Sequence, residues 1–99
     1  MANKRVVWSK TALRQFDAAI KYITSDSFQN AEKVKLIILE NIDKIPDFPE
    51  KYPPDKYKQN NKGNYRAFEI YHYRISYYTG KSGNKNFTST PTSMEPKEH

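Results

Sequence analysis

Residues 65–79, YRAFEIYHYRISYYT, constrain the fold more than any other stretch. Successive side chains of a strand point to opposite faces, so residues buried together share parity. Phe68 and Ile70 are even while Tyr73, Ile75 and Tyr77 are odd, and one unbroken strand cannot bury all five. A reversal at Tyr71 and His72 restores the phase. It predicts a hairpin with Ile70 facing Tyr73, Glu69 facing Arg74 and Phe68 facing Ile75, one face buried and Glu69, Arg74, Ser76 and Tyr78 on the other. Tyr-His lacks the Gly or Asn that a two-residue turn favours, so a bulge or looser loop is the alternative.

The preceding chain supplies what this hairpin needs as a cover. KRVVW, Lys4 to Trp8, reads as a short β-branched strand, followed at once by Ser9, a good helix cap. From Thr11 to Ser25, Leu13, Phe16, Ile20 and Ile23 recur at intervals of three and four beside Ala12 and Ala19, with Lys10, Arg14, Gln15, Asp17 and Lys21 facing water. The capping-rich TSDSFQN of Thr24 to Asn30 precedes a second stripe, Ala31, Val34, Ile38, Ile42 and Ile45, widened by Leu36, Ile37 and Leu39. About five linking residues leave the two helices little choice but an antiparallel pair. Pro46, Pro49, Pro53 and Pro54 then forbid helix, and IPDFPEKYPPD becomes an ordered connection pinned by Phe48 and Tyr52. KYKQNNKGN, residues 56–64, reads as a mobile basic loop. After the hairpin, Gly80 to Asn84 reads as a turn, Lys85 to Thr90 as one weak strand, and residues 91–99 as a flexible tail. The expectation is one α+β domain over residues 1–99: an N-terminal strand joining the sheet edge, and an antiparallel helical hairpin on one face of a small, mainly antiparallel sheet.

A chain of 99 residues buries only about 60 to 65% of its unfolded surface, so the core is modest. There is no cysteine and no apolar run long enough to span a bilayer, and the opening residues lack the apolar core of a secretory signal, which makes the cytoplasm the expected compartment. Seventeen Lys and Arg against eleven Asp and Glu give a net charge of +6. That favours an acidic partner such as nucleic acid or an acidic protein segment, and equally describes a merely soluble basic protein.

The sequence resembles the RelE/ParE superfamily of bacterial toxin-antitoxin toxins over nearly its whole length. The resemblance is carried by VVW, by ALRQFDAAIKYI in the first helix, by ENIDKIPDFP closing the second, and by RAFEIYHYRISYY, with YRISY its most recognisable piece. It implies one of two actions: RelE-like proteins cleave messenger RNA in the ribosomal decoding site, and ParE-like proteins block DNA gyrase. It implies a cognate antitoxin protein as partner in either case.

RNA cleavage by so small a protein needs an activated 2′-hydroxyl, cations for the charge developing at phosphorus and an acid for the leaving oxygen. With no cysteine, no metal-ligand cluster and no phosphate-binding glycine loop, no metal or cofactor is expected, and Arg, Lys, His and Tyr are left. Arg74 matches the family arginine that meets the scissile phosphate, and parity puts it on the open face; a cross-strand pair with Glu69 is the structural alternative. Arg66 matches a second basic position, or it snorkels at the core edge. Lys56, Lys58 and Lys62 offer attraction to RNA or to an acidic antitoxin, and Tyr78 a surface on which a base stacks. His72, in the turn, is read as a surface residue. His99 falls where related nucleases place a tail Tyr or His for proton transfer. Where RNA-cleaving relatives carry a run such as Arg-x-Arg-His-Thr, this chain has FTSTPTS from Phe87 to Ser93. Two or more cations are therefore missing. The resemblance thus leaves open a nuclease, a gyrase inhibitor, or an attenuated toxin that only binds its antitoxin.

Overall fold

In a computed structural model describing residues 4–82 and 86–97, the chain runs β1 (Lys4–Val6), α1 (Lys10–Asp26), α2 (Phe28–Lys44), β2 (Tyr65–Ile70), β3 (Tyr73–Ser82) and β4 (Asn86–Pro96). The sheet order is β1-β4-β3-β2, with β1 parallel to β4 and the other pairs antiparallel. The hairpin forms in the register that parity requires: Ile70 lies opposite Tyr73, Glu69 opposite Arg74 and Phe68 opposite Ile75. Its reversal uses just Tyr71 and His72, and Tyr71 takes the turn at φ 57, a left-handed conformation that bulky side chains rarely occupy.

Both helices pack on one face of the sheet. Ala31, Val34, Ile38, Ile42 and Ile45 are buried against Phe68, Tyr73, Ile75, Tyr77 and Met94, which confirms the inward stripe of α2. Ser9 caps α1, its Oγ accepting from the Ala12 N–H at 3.0 Å. The connection between the helices is shorter than the five residues expected. Ser27 alone joins them: its N–H donates to the Ile23 carbonyl at 2.8 Å to close α1, and its Oγ accepts from the Asn30 N–H at 3.1 Å to open α2. One residue thus satisfies orphan groups at two helix ends.

Three positions of the expected stripes turn outward: Leu13 of α1 and Leu36 and Ile37 of α2 are exposed, and the buried residues of α1 are Ala12, Ala19 and Ile23. Gln15, expected to face water, lies on that inward side, and its Oε1 accepts from the Met94 N–H at 2.8 Å. In the proline-rich connection, Tyr52 stacks on Phe68 with centroids 4.4 Å apart and donates to Asn41 Oδ1 at 2.8 Å, as expected of a pin. Phe48 is exposed and pins nothing.

The last strand departs furthest from expectation. Pairing begins at Asn86 and continues through residues 91–96, where a flexible tail was expected. Between Ser76 and Tyr77 the register shifts: Ser76 faces Ser93, yet Tyr77 faces Pro91, so Thr92 is the extra residue of a β-bulge. A proline is tolerated inside a sheet where a bulge already interrupts the ladder. The extra residue also switches phase, so that Pro91 and Met94, of opposite parity, are both buried. Strand β3 runs on through Gly80 to Ser82, past the expected start of a turn; the rest of that turn, Gly83 and Asn84, and Lys85 lie outside the described residues.

Candidate functional site

The open face of β2 and β3 meets the connection, and Asp55 is the point of contact. Pro53 and Asp55 hydrogen-bond along the outer edge of β2, Asp55 N–H to the Tyr65 carbonyl at 2.8 Å and Ala67 N–H to the Pro53 carbonyl at 3.2 Å. Asn61 holds the following loop in place, its Nδ2 donating to the carbonyls of Asp55 and Tyr65 and its Oδ1 accepting from the N–H groups of Gly63 and Tyr65. The segment read as a mobile basic loop is therefore stitched to β2, with the Asn61 amide making several of the bonds.

Asp55 is only 5% exposed, and every donor it needs converges on it. Its Oδ1 accepts from Arg74 Nη2 at 2.6 Å and from the Tyr57 N–H at 3.0 Å; its Oδ2 accepts from Ser76 Oγ at 3.0 Å. Burial pushes this carboxyl upward, but the hydrogen bonds from Tyr57, Arg74 and Ser76, with the charge of Arg74, outweigh it and leave the group below the usual aspartate range. The Arg74 guanidinium lies 4.7 Å from the centroid of the Tyr57 ring, and its Nη1 is 3.9 Å from Glu69 Oε2. The cross-strand pair expected from parity is present but secondary.

These groups wall a cavity of about 470 Å³, completed by Lys58, Lys97, Glu95, Thr92, Ser93 and Pro96. Three carboxylates, Asp55, Glu69 and Glu95, stand against three cations, Lys58, Arg74 and Lys97, so the cavity carries no net charge inside a basic protein. Thr92, Ser93 and Glu95 of β4 present neutral or acidic groups to it.

Of the catalytic and RNA-binding candidates among the described residues, Arg74 and Lys58 share this cavity. Arg66 is spent on the scaffold: its Nε donates to the Gly63 carbonyl at 2.9 Å and its Nη1 to the Tyr52 carbonyl at 2.7 Å, with Glu50 at 3.7 Å. Lys56 and Lys58 lie over the rings of Tyr57 and Tyr65, and Lys62 is exposed. Tyr78 packs edge-on to Tyr65, and its ring lies so close over Gly80 that a Cβ there would stand 2.9 Å from its hydroxyl. His72 is exposed beside Tyr71, and His99 lies outside the described residues. Asp55 is the residue that sequence reasoning missed. Its local bond to the Tyr57 N–H, two residues on, is a turn that any aspartate in a loop can make and does not point to Arg74 or Ser76.

A family model described as "ParE toxin of type II toxin-antitoxin system, parDE" matches residues 6–85. No curated protein matches the sequence.

Proposed function

The chain belongs to this ParE toxin family of type II toxin-antitoxin systems, and from that premise we propose that it halts growth by a non-enzymatic contact with DNA gyrase rather than by cutting messenger RNA. The observation that carries the reading is the state of Arg74. Its shortest contact is a buried internal carboxylate at 2.6 Å, in a cavity whose charges cancel. Phosphoryl transfer needs preorganised positive charge that is free to meet the developing anion, and a neutral pocket does not supply it. The helical hairpin supports the same reading from another side. Leu13, Tyr22, Phe28, Leu36 and Ile37 stand exposed on α1 and α2, and apolar groups so placed are suited to a protein partner. Membership of the family implies a second partner, the antitoxin.

Purified protein added to gyrase and relaxed plasmid tests the proposal directly. Inhibition of ATP-dependent supercoiling, with ribosome-bound messenger RNA left intact, is the expected result. Unchanged supercoiling together with codon-specific cleavage on ribosomes would replace this reading with the RelE-like one. Failure of both activities would leave a chain that only binds its antitoxin.

A further inference from the structure

A second hollow, of about 490 Å³, opens where the end of α1 meets the turn of the hairpin, and it shares no residue with the cavity that holds Arg74. Tyr22, Tyr71, His72 and Tyr73 line it, with Asp26 beside them. Among the described residues no Lys or Arg lines this hollow, in a protein of net charge +6. Helix α1 ends here with no basic residue in its last turn, so the negative end of its dipole lacks a cation of its own. Tyr71 takes its turn at φ 57, where Asn or Gly would sit without strain, and backbone strain of this kind gathers at ligand sites. Its hydroxyl is anchored by Asn30 Nδ2 at 2.8 Å, and its ring meets His72 with centroids 4.6 Å apart and planes 61° apart, making a corner. Tyr22, 74% exposed, adds a wall that the core does not use. The Tyr73 phenol, pushed up first by burial, is pushed further by the hydroxyls of Tyr22 and Tyr71, so three phenols converge.

Aromatic rings gathered beside a carboxylate suit an organic cation, since the negative face of each ring attracts the charge while the alkyl groups fill apolar space. A bare metal ion fits poorly, because among the described residues no three His, Asp or Glu side chains gather to hold one. We propose that this hollow binds an alkylammonium group, with Tyr22, Tyr71 and Tyr73 as its walls and Asp26 as its counter-charge. Such a group is the head of a free quaternary amine or the end of a lysine on a partner protein. The inference goes beyond the proposed target and stands whether or not gyrase is inhibited.

Choline chloride titrated into the protein and followed by NMR, against sodium chloride at matched ionic strength, tests the site. Resonances of Tyr22, Tyr71 and His72 should shift saturably, with half-saturation on the order of 1 to 10 mM. Neohexanol, the neutral carbon isostere of choline, should bind at least about tenfold more weakly, since it fills the same space without the charge. Tyr22→Leu and Asp26→Asn alter exposed positions, and each should raise the half-saturation about threefold. Tyr71→Asn should do the same while melting no lower than the parent, which separates the ring's part in binding from its place in the turn. Acetyl-lysine methylamide, with its side-chain amine free, forms a second arm: tighter binding than choline assigns the site to a partner's lysine, and weaker binding to a free quaternary amine. The proposal is overturned if choline shifts none of these resonances, if neohexanol binds as well as choline, or if all three variants bind choline like the parent.

Discussion

Asp55 and Arg74 make stability depend on acid in a defined direction. The folded carboxyl lies below its ordinary value, so its contribution is complete above the unfolded value near pH 4 and is lost as pH falls through the folded one. Asp55→Asn should flatten the acid limb of a pH-stability profile. At pH 7 it should cost about 2 to 3 kcal/mol, at or below the bottom of the range for breaking a fully buried pair, because the Arg74 side chain is still 20% exposed and partly screened. Tyr77 acts at the other end of the scale. Burial pushes its phenol up to about 12, and its hydroxyl donates to the Pro49 carbonyl at 3.1 Å. A raised folded value means that the stabilisation is whole below about pH 10 and is lost as pH climbs through 12. Burial raises the Tyr73 phenol as well, so a phenolate absorbance titration should show more than one late tyrosine, and Tyr77→Phe should remove the one that titrates near 12. Tyr71 stores strain at φ 57, a conformation that costs an ordinary residue about 1 kcal/mol. Replacing it with Asn, which tolerates that conformation, should raise stability by roughly 0.5 to 1 kcal/mol in a thermal melt, less the exposed hydrogen bond that its hydroxyl accepts from Asn30.

At the scale of elements, the parts legible in the sequence are those where one periodicity runs without interruption. The hairpin register follows from parity alone, and the α2 stripe follows from regular spacing of aliphatic residues. The α1 face is easily misread around Leu13, because the neighbouring Ala12 contributes little to an apolar stripe yet is the residue that is buried. Strand β4 reads as ending at residue 90, because the Thr92 bulge switches parity midway and Pro91 looks like an end. Asp55 is not foreseeable because its partners, Arg74 and Ser76, come from a strand about twenty residues on, reached only once the connection has folded back along the β2 edge. The bulge makes a strong prediction. Deleting Thr92 would restore a continuous phase and swing Met94, now buried, to the opposite face. The expected loss is about 2 to 5 kcal/mol, the cost of withdrawing a large side chain from the core, and denaturant unfolding measures it. A variant as stable as the parent would mean that the strand does not pair as described.

Across the whole molecule the net charge is +6, yet the cavity that holds Arg74 has as many carboxylates as cations among its lining residues. Lysines 51, 56 and 58 rest over tyrosine rings, and the cavity that holds Arg74 is balanced. The helical hairpin carries exposed apolar side chains, Leu36 and Ile37 among them. Leu36→Lys combined with Ile37→Lys removes two exposed groups, at 60% and 41%, that do little for the core. The fold should lose no more than about 0.5 kcal/mol, as surface changes usually do. Inhibition of gyrase supercoiling should fall at least tenfold if the hairpin is the contact surface, and equal inhibition by the variant would move that contact elsewhere.

The serine that both ends α1 and begins α2 leaves the hairpin no slack. Each residue added to a helix rotates the remainder of that helix by about 100°, so an insertion at position 27 would either be expelled as a new loop or rotate Ile38 and Ile42 out of the interior. Homologous hairpins of different length at this corner should therefore gain or lose residues in whole helical turns, with the apolar spacing of the second helix counted from its cap unchanged.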